Sequence, residues 1–201
     1  MMIRPLLAGL LLLLPTVVAA ISYYSFEQAG DLYEQGAFEA AATIFQQLAD
    51  DNDPRAQYYL GLIAWHGHLG ASDPATACDW FDKAANQDHL DAFYAYGNCY
   101  LQGRGRQADI NQALYLYGMA AEHGHEPSQY RLARLFATGT GGVTKNPERA
   151  YIYLFLALRG DLAQSPMLRD SLEAELSETQ LQRAQTFALE MLEKQARRSP
   201  D

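Results

Sequence analysis

A near-copy every 36 residues constrains this chain more than any other feature. Ala56-Gln57-Tyr58-Tyr59-Leu60-Gly61 returns as Ala92-Phe93-Tyr94-Ala95-Tyr96-Gly97, then as Ser128-Gln129-Tyr130-Arg131-Leu132-Ala133. The stretch from Ala77 to Ala85 returns as Ala113 to Ala121, and a third copy, Ala150 to Leu158, arrives one residue late. A unit of this length with two helical stretches cannot bury its apolar faces alone, so copies must stack into a solenoid.

Each copy reads as a helix A, a Gly-rich loop and a helix B. The first helix A spans about Pro54 to His66, with Ala56, Tyr59, Leu60, Ile63 and Ala64 at helical spacing. Gly67 closes it, and Asp73-Pro74 supplies a cap and first turn for a helix B running to about Asn86. The second copy uses Gly103-Arg104-Gly105 and Asp109; the third uses Gly139-Thr140-Gly141-Gly142-Val143 and Asn146-Pro147. These glycines follow helices rather than strands, so they predict helix ends at positive φ and not phosphate cradles. Gly61, Gly97 and Ala133 are expected where helix A meets its own helix B. Ala84-Ala85 and Ala120-Ala121 should meet the next repeat, with Trp80, Leu116 and Tyr153 filling the space between layers.

The pattern Ala-x-Tyr-x-Leu-Gly, a loop glycine at 67, 103 and 139, and an Asp- or Asn-started helix ending Ala-Ala resembles Sel1-like repeats. The resemblance covers about Pro54 to Gly160 as repeats 54–89, 90–125 and 126–161. Ala133 and Ala157-Leu158 depart from the pattern in the third copy. Upstream, 21–53 resembles a tetratricopeptide helix pair through Ala29, Leu32, Gly36, Phe38, Ala41, Phe45 and Leu48. Downstream, 162–201 reads as two C-terminal capping helices and a tail, the second helix opened by the capping box Ser177-Glu178-Thr179-Gln180. The implied fold is all-α, a right-handed superhelix of stacked antiparallel helix pairs.

The N-terminus predicts a signal peptide over 1–20. Arg4 precedes the apolar run Leu6 to Leu14, Pro15 breaks it, and Val18-Ala19-Ala20 suits cleavage. The competing expectation is an uncleaved membrane anchor, because no charge falls between Pro5 and Phe26. Either leads to an exported chain, periplasmic or secreted in one case and held at the inner membrane in the other. Cys78 and Cys99 then sit in an oxidising compartment. They lie at similar distances from the turn near Asp88, which leaves two outcomes open: a disulfide, or two buried thiols on unfavourable faces.

A net charge of −9 argues against nucleic acid as a partner, and against an anionic membrane surface. It favours a partner with a basic or neutral surface. Five histidines divide between the loop end (His66, His68) and the turn end (His89, His123, His125), without the spacing of a zinc site; exposed turn residues are the expectation. No nucleophile motif appears, and neither an enzyme nor a cofactor is expected. The aromatic columns are more informative. Phe26, Tyr58, Tyr94 and Tyr130 share one helix A position, followed one and two turns later by Leu62, Asn98, Arg134 and by Trp65, Leu101, Ala137. Their resemblance to tetratricopeptide arrays places helix A on the concave surface. Tyr58, Leu62, Trp65, Tyr94, Asn98, Leu101, Tyr130 and Arg134 are therefore expected to form a groove for a protein or peptide partner. The competing reading packs the Tyr column between helices. By resemblance to exported Sel1-like proteins, binding or weak hydrolysis of a β-lactam or peptidoglycan ligand is the alternative function. An anchored structural subunit of an envelope complex is the other.

Overall fold

The computed structural model describes residues 26–161 and 164–198. Ten α-helices and no strand occur among the described residues. Residues 26–34 (α1) and Phe38–Asp50 (α2) lead into three helix pairs: α3 Pro54–His66 with α4 Pro74–Ala85, α5 Leu90–Gln102 with α6 Ile110–Glu122, and α7 Glu126–Thr138 with α8 Pro147–Ala157. The helices α9 Pro166–Glu175 and α10 Glu178–Arg198 follow. From α2 to α8 each helix packs on its neighbours in chain order, most heavily within a pair. The expected signal peptide lies outside the described residues. No described helix is long and apolar enough to cross a membrane.

The 36-residue period is a period of helix ends. Helices α3, α5 and α7 stop at Gly67, Gly103 and Gly139, at φ 71°, 63° and 71°, and each of these amides turns back to a carbonyl of the last turn. Helices α4, α6 and α8 start at Asp73, Asp109 and Asn146, whose side chains accept the first backbone N–H groups. The Ser177 capping box closes both ways: the Gln180 amide donates to Ser177 Oγ at 3.3 Å and the Ser177 amide to Gln180 Oε1 at 3.0 Å.

Within pairs, the close approach falls where the small residues predict it. A Cβ added at Gly61 would lie 2.4 Å from the Phe81 ring, and one at Gly97 2.6 Å from the Tyr117 ring. Both rings are buried, as is the equivalent Leu154. The space-filling residues are thus one position beyond those expected. Trp80 and Tyr153 are only half-buried, because one residue along a helix turns a side chain by about 100°. Leu116 is buried, among Ala84, Ala85, Phe93 and Ala120 at the junction of the first two repeats.

Cys78 on α4 and Cys99 on α5 are joined, their Cα atoms 6.3 Å apart, in a cluster with Ala77 and Phe81. This cross-link ties helix B of the first repeat to helix A of the second. Closing a loop of this size stabilises the fold by about 3 kcal/mol in the chain-entropy account.

The last repeat is covered rather than left open. Leu172 and Ala184 enter its core cluster. Arg183 forks onto Glu148 at 2.6 Å, Gln185 donates to Tyr151 Oη at 3.0 Å, and Gln195 donates to the Ala121 carbonyl at 2.9 Å. The tail therefore supplies both an apolar cover and hydrogen-bond partners for polar groups of the second and third repeats.

Candidate partner-binding groove

Helices α3 and α5 bring Tyr58, Leu62, Trp65, Tyr94 and Asn98 around one hollow of about 190 Å³, floored by Phe81 and edged by His66, Ala95 and Gln102. These five come together because positions one and two turns apart share a helix face, and the repeat sets two such faces side by side. Tyr130 and Arg134 stand one repeat further on, exposed on α7 at the registers of Tyr94 and Asn98. One expected member, and the Phe26 that shares the tyrosine register, go elsewhere. Leu101 turns away from the hollow, packing against the core of the third repeat beside Ile110 and the Gly141 turn. Phe26 belongs to the first core cluster, 5.8 Å from Phe45 and 5.9 Å from Tyr59.

The tyrosines of the column pack against neighbouring helices and also wall the hollow. Tyr58 stacks on His89 at 5.0 Å and tilts against Phe81 at 5.8 Å, while Tyr94 sits 5.6 Å from Tyr117 and 5.7 Å from His125. Each is half-buried, with one face spent on packing and the other on the hollow. Burial pushes the Tyr58 and Tyr117 hydroxyls above the usual phenol range, so both stay protonated donors. Tyr117 Oη donates to Asn98 Oδ1 at 2.9 Å, which fixes the Asn98 amide at the hollow's wall. Arg131 donates to Tyr94 Oη at 2.9 Å, and the Arg104 guanidinium lies 4.6 Å from the Trp65 ring centre.

Among the histidines, His66 and His123 are exposed, as expected, but His68, His89 and His125 are half-buried. His68 stacks on Phe38 at 3.7 Å. Asp53, His89 and His125 are equivalent N-caps of α3, α5 and α7. His89 Nδ1 accepts the Ala92 amide and His125 Nδ1 the Ser128 amide, each at 3.3 Å. That leaves the Nε2 proton of His125 to donate to Asp91 at 3.0 Å. This bond holds the Asp91 carboxyl below its ordinary range, and burial lowers His89 below its own. The signal that finds these caps in the sequence is the 36-residue spacing from Asp53, not the residue type.

A second, larger hollow of about 500 Å³ lies between α8 and α10. Ile152, Tyr153, Phe187 and Met191 form its apolar walls, and Arg149 stands beside the paired Glu148 and Arg183. No group of three or more His, Cys, Asp or Glu side chains able to hold a metal occurs among the described residues.

Comparison with known proteins places these features in a family. The Sel1 repeat model matches residues 54–89, 91–125 and 127–161. The chain is 34% identical over 105 residues to the DAP3-binding cell death enhancer 1 of Rattus norvegicus, covering 52% of this chain and 20% of that protein. It is 33% identical over 108 residues to the alginate biosynthesis protein AlgK of Azotobacter vinelandii, covering 54% and 23%. The chain thus spans about a fifth of the length of these relatives. Among solved structures, it is similar to a protective antigen of uropathogenic Escherichia coli strains that displays an SLR fold. That match has a TM-score of 0.76 and 30% identity, and covers 88% of this chain and 39% of that one. It also shares its fold with a Sel1 repeat protein from Oxalobacter formigenes, at TM-score 0.66 and 22% identity, over 84% and 70% of the two chains.

Proposed function

Because the chain belongs to the Sel1 repeat family, we propose that it is a non-catalytic adaptor holding a protein partner across helices α3, α5 and α7. The family is one of protein-interaction scaffolds, which supports the class of function. The observation that carries the reading is the hollow walled by Tyr58, Leu62, Trp65, Tyr94 and Asn98. At about 190 Å³ it falls below the range of a drug-sized ligand site and has room for about one large side chain. Half-buried tyrosines offer a rigid apolar body and a polar tip, the chemistry of interface anchors. The signal-like start of the sequence and the Cys78–Cys99 bridge support action in an oxidising compartment, which we assign to the periplasm.

The α8–α10 hollow, at about 500 Å³, favours a second reading in which a small cell-wall-derived ligand binds there. Crosslinked capture from envelope extract separates the two. The adaptor reading expects one enriched protein that is lost with Tyr94→Ala and Tyr130→Ala while far-UV circular dichroism stays native. Trp65→Ala is a poor probe, because Trp65 packs on the Cys78–Cys99 cluster. Saturable binding of a muropeptide or β-lactam that Phe187→Asp abolishes, with no captured protein, overturns it. Intact mass on the same sample distinguishes a chain lacking 1–20 from an anchored one.

A further inference from the structure

The rim of the concave hollow differs in charge from the molecule as a whole. The chain carries a net −9, yet Arg104, Arg131 and Arg134 make no ion pair among the described residues; the first two touch walls of the hollow and the third stands one repeat further along α7. Arg104 lies over Trp65 and is held by Ser72 Oγ at 2.7 Å. Arg131 is held by the Tyr94 hydroxyl, and Arg134 is exposed at the register of Asn98. The acids of these helices are already engaged: Asp91 by His125, and Glu126 by Arg159 at 2.8 Å. Two cations are therefore fixed beside an apolar hollow by neutral partners, a third stands exposed one repeat further on, and none of the three is ion-paired with a carboxylate among the described residues.

We infer that the groove takes an acidic peptide segment, with one aromatic or large aliphatic side chain in the hollow and a carboxylate on the Arg131–Arg134 side. The proposal rests on the adaptor reading and names its partner's chemistry. Charge complementarity chooses the sign, and the side-chain-sized hollow chooses peptide over an anionic polysaccharide, which has no apolar anchor to place there. The geometry also sets a spacing. Arg131 reaches the Tyr94 hydroxyl from α7 at 2.9 Å, so its cation stands just beyond the hollow's wall, and an extended chain rises about 3.3 Å per residue. The acidic residue then stands about three positions from the anchor. Arg104 at the Trp65 end offers a second carboxylate contact.

The test is selection of random peptides displayed on phage against the full chain, followed by anisotropy titration of the selected peptides made synthetically. The expected result is an enriched pattern of an aromatic or aliphatic residue with Asp or Glu about three positions away, given that rise and the reach of Arg131 to Tyr94. Affinity should fall with added salt. Arg131→Gln and Arg134→Gln should each weaken binding by about 2- to 5-fold, as for exposed ion pairs, and the double variant by about tenfold. Peptides selected without acidic residues but lost on Tyr94→Ala overturn the acidic preference and leave the adaptor reading standing. Selection insensitive to Tyr94→Ala, or no selection alongside retention of a polyuronate, overturns both.

Discussion

The second and third repeats solve the same packing problem with different residues. In the second, Gly97 lets the Tyr117 ring lie where a Cβ would be, 2.6 Å from it. In the third, Ala133 and Leu154 hold these positions, both fully buried. A methyl group appears on helix A where an aromatic ring is missing from helix B. The departure from the repeat pattern at Ala133 is therefore half of a compensating pair, and the volume is conserved while the residues are not.

Exchanging the pair should show this directly. Gly97→Ala alone should cost about 2–3 kcal/mol by overpacking, since the buried Tyr117 ring has nowhere to retreat. Tyr117→Leu alone should cost a comparable amount by leaving a cavity and freeing Asn98. Together they recreate the third repeat, and the double variant should lose less than the sum by about 1 kcal/mol or more. Thermal unfolding of the four proteins reads this, and simple additivity would sink the compensation argument.

The bridge makes the second contrast, because it joins the first two repeats and leaves the third alone. Reduction, or Cys78→Ser with Cys99→Ser, should cost about 2–4 kcal/mol. Hydrogen exchange should show the loss around α4 and α5, with α7 and α8 little changed; uniform loss along the solenoid would mean the repeats do not open separately.

The tail makes a different tie, reaching from α10 back to the second repeat through the Gln195 side chain on the Ala121 carbonyl. Gln195→Ala should cost about 1 kcal/mol, since Gln129 also donates to that oxygen at 3.0 Å and keeps it paired. A loss several times larger would show that the tail holds the array together rather than covering it.

The smallest effect is a pH dependence. His89 has its pKa lowered in the fold, so its contribution is complete above the unfolded value near 6.5 and is lost as pH falls below that, through the folded value. Asp91, also lowered, acts in a separate, more acidic window below about pH 4. Asp53, Asp91, Arg55 and His125 all act on His89, so the comparison must keep them intact. His89→Asn keeps an N-cap that does not titrate, and should flatten the stability curve between about pH 7 and 5 by up to 1 kcal/mol. An unchanged curve would show that the cap's protonation is not linked to folding.

Much of this was legible in advance because the features concerned are local. Asp73-Pro74, Asn146-Pro147, Gly67 and the Ser177–Gln180 box act through the backbone within a few residues of themselves, so helix ends follow from residue type and spacing. The His N-caps were hidden because His is a less familiar capping residue than Asp, although position 53 marks the register. Register alone puts Leu101 on the groove; in the fold it packs beside Ile110 and the Gly141 turn of the next repeat.

By itself the sequence determined the solenoid, its repeat length and the helix boundaries, since periodic burial and capping are properties of neighbouring residues. The tertiary structure decided which tyrosine faces remain open, which of the described arginines stand outside the ion pairs of the described residues, that Phe81 and Tyr117 rather than Trp80 fill the pairs, and that Cys78 reaches Cys99. Each of these depends on distances between residues tens of positions apart, which packing sets and no local pattern encodes.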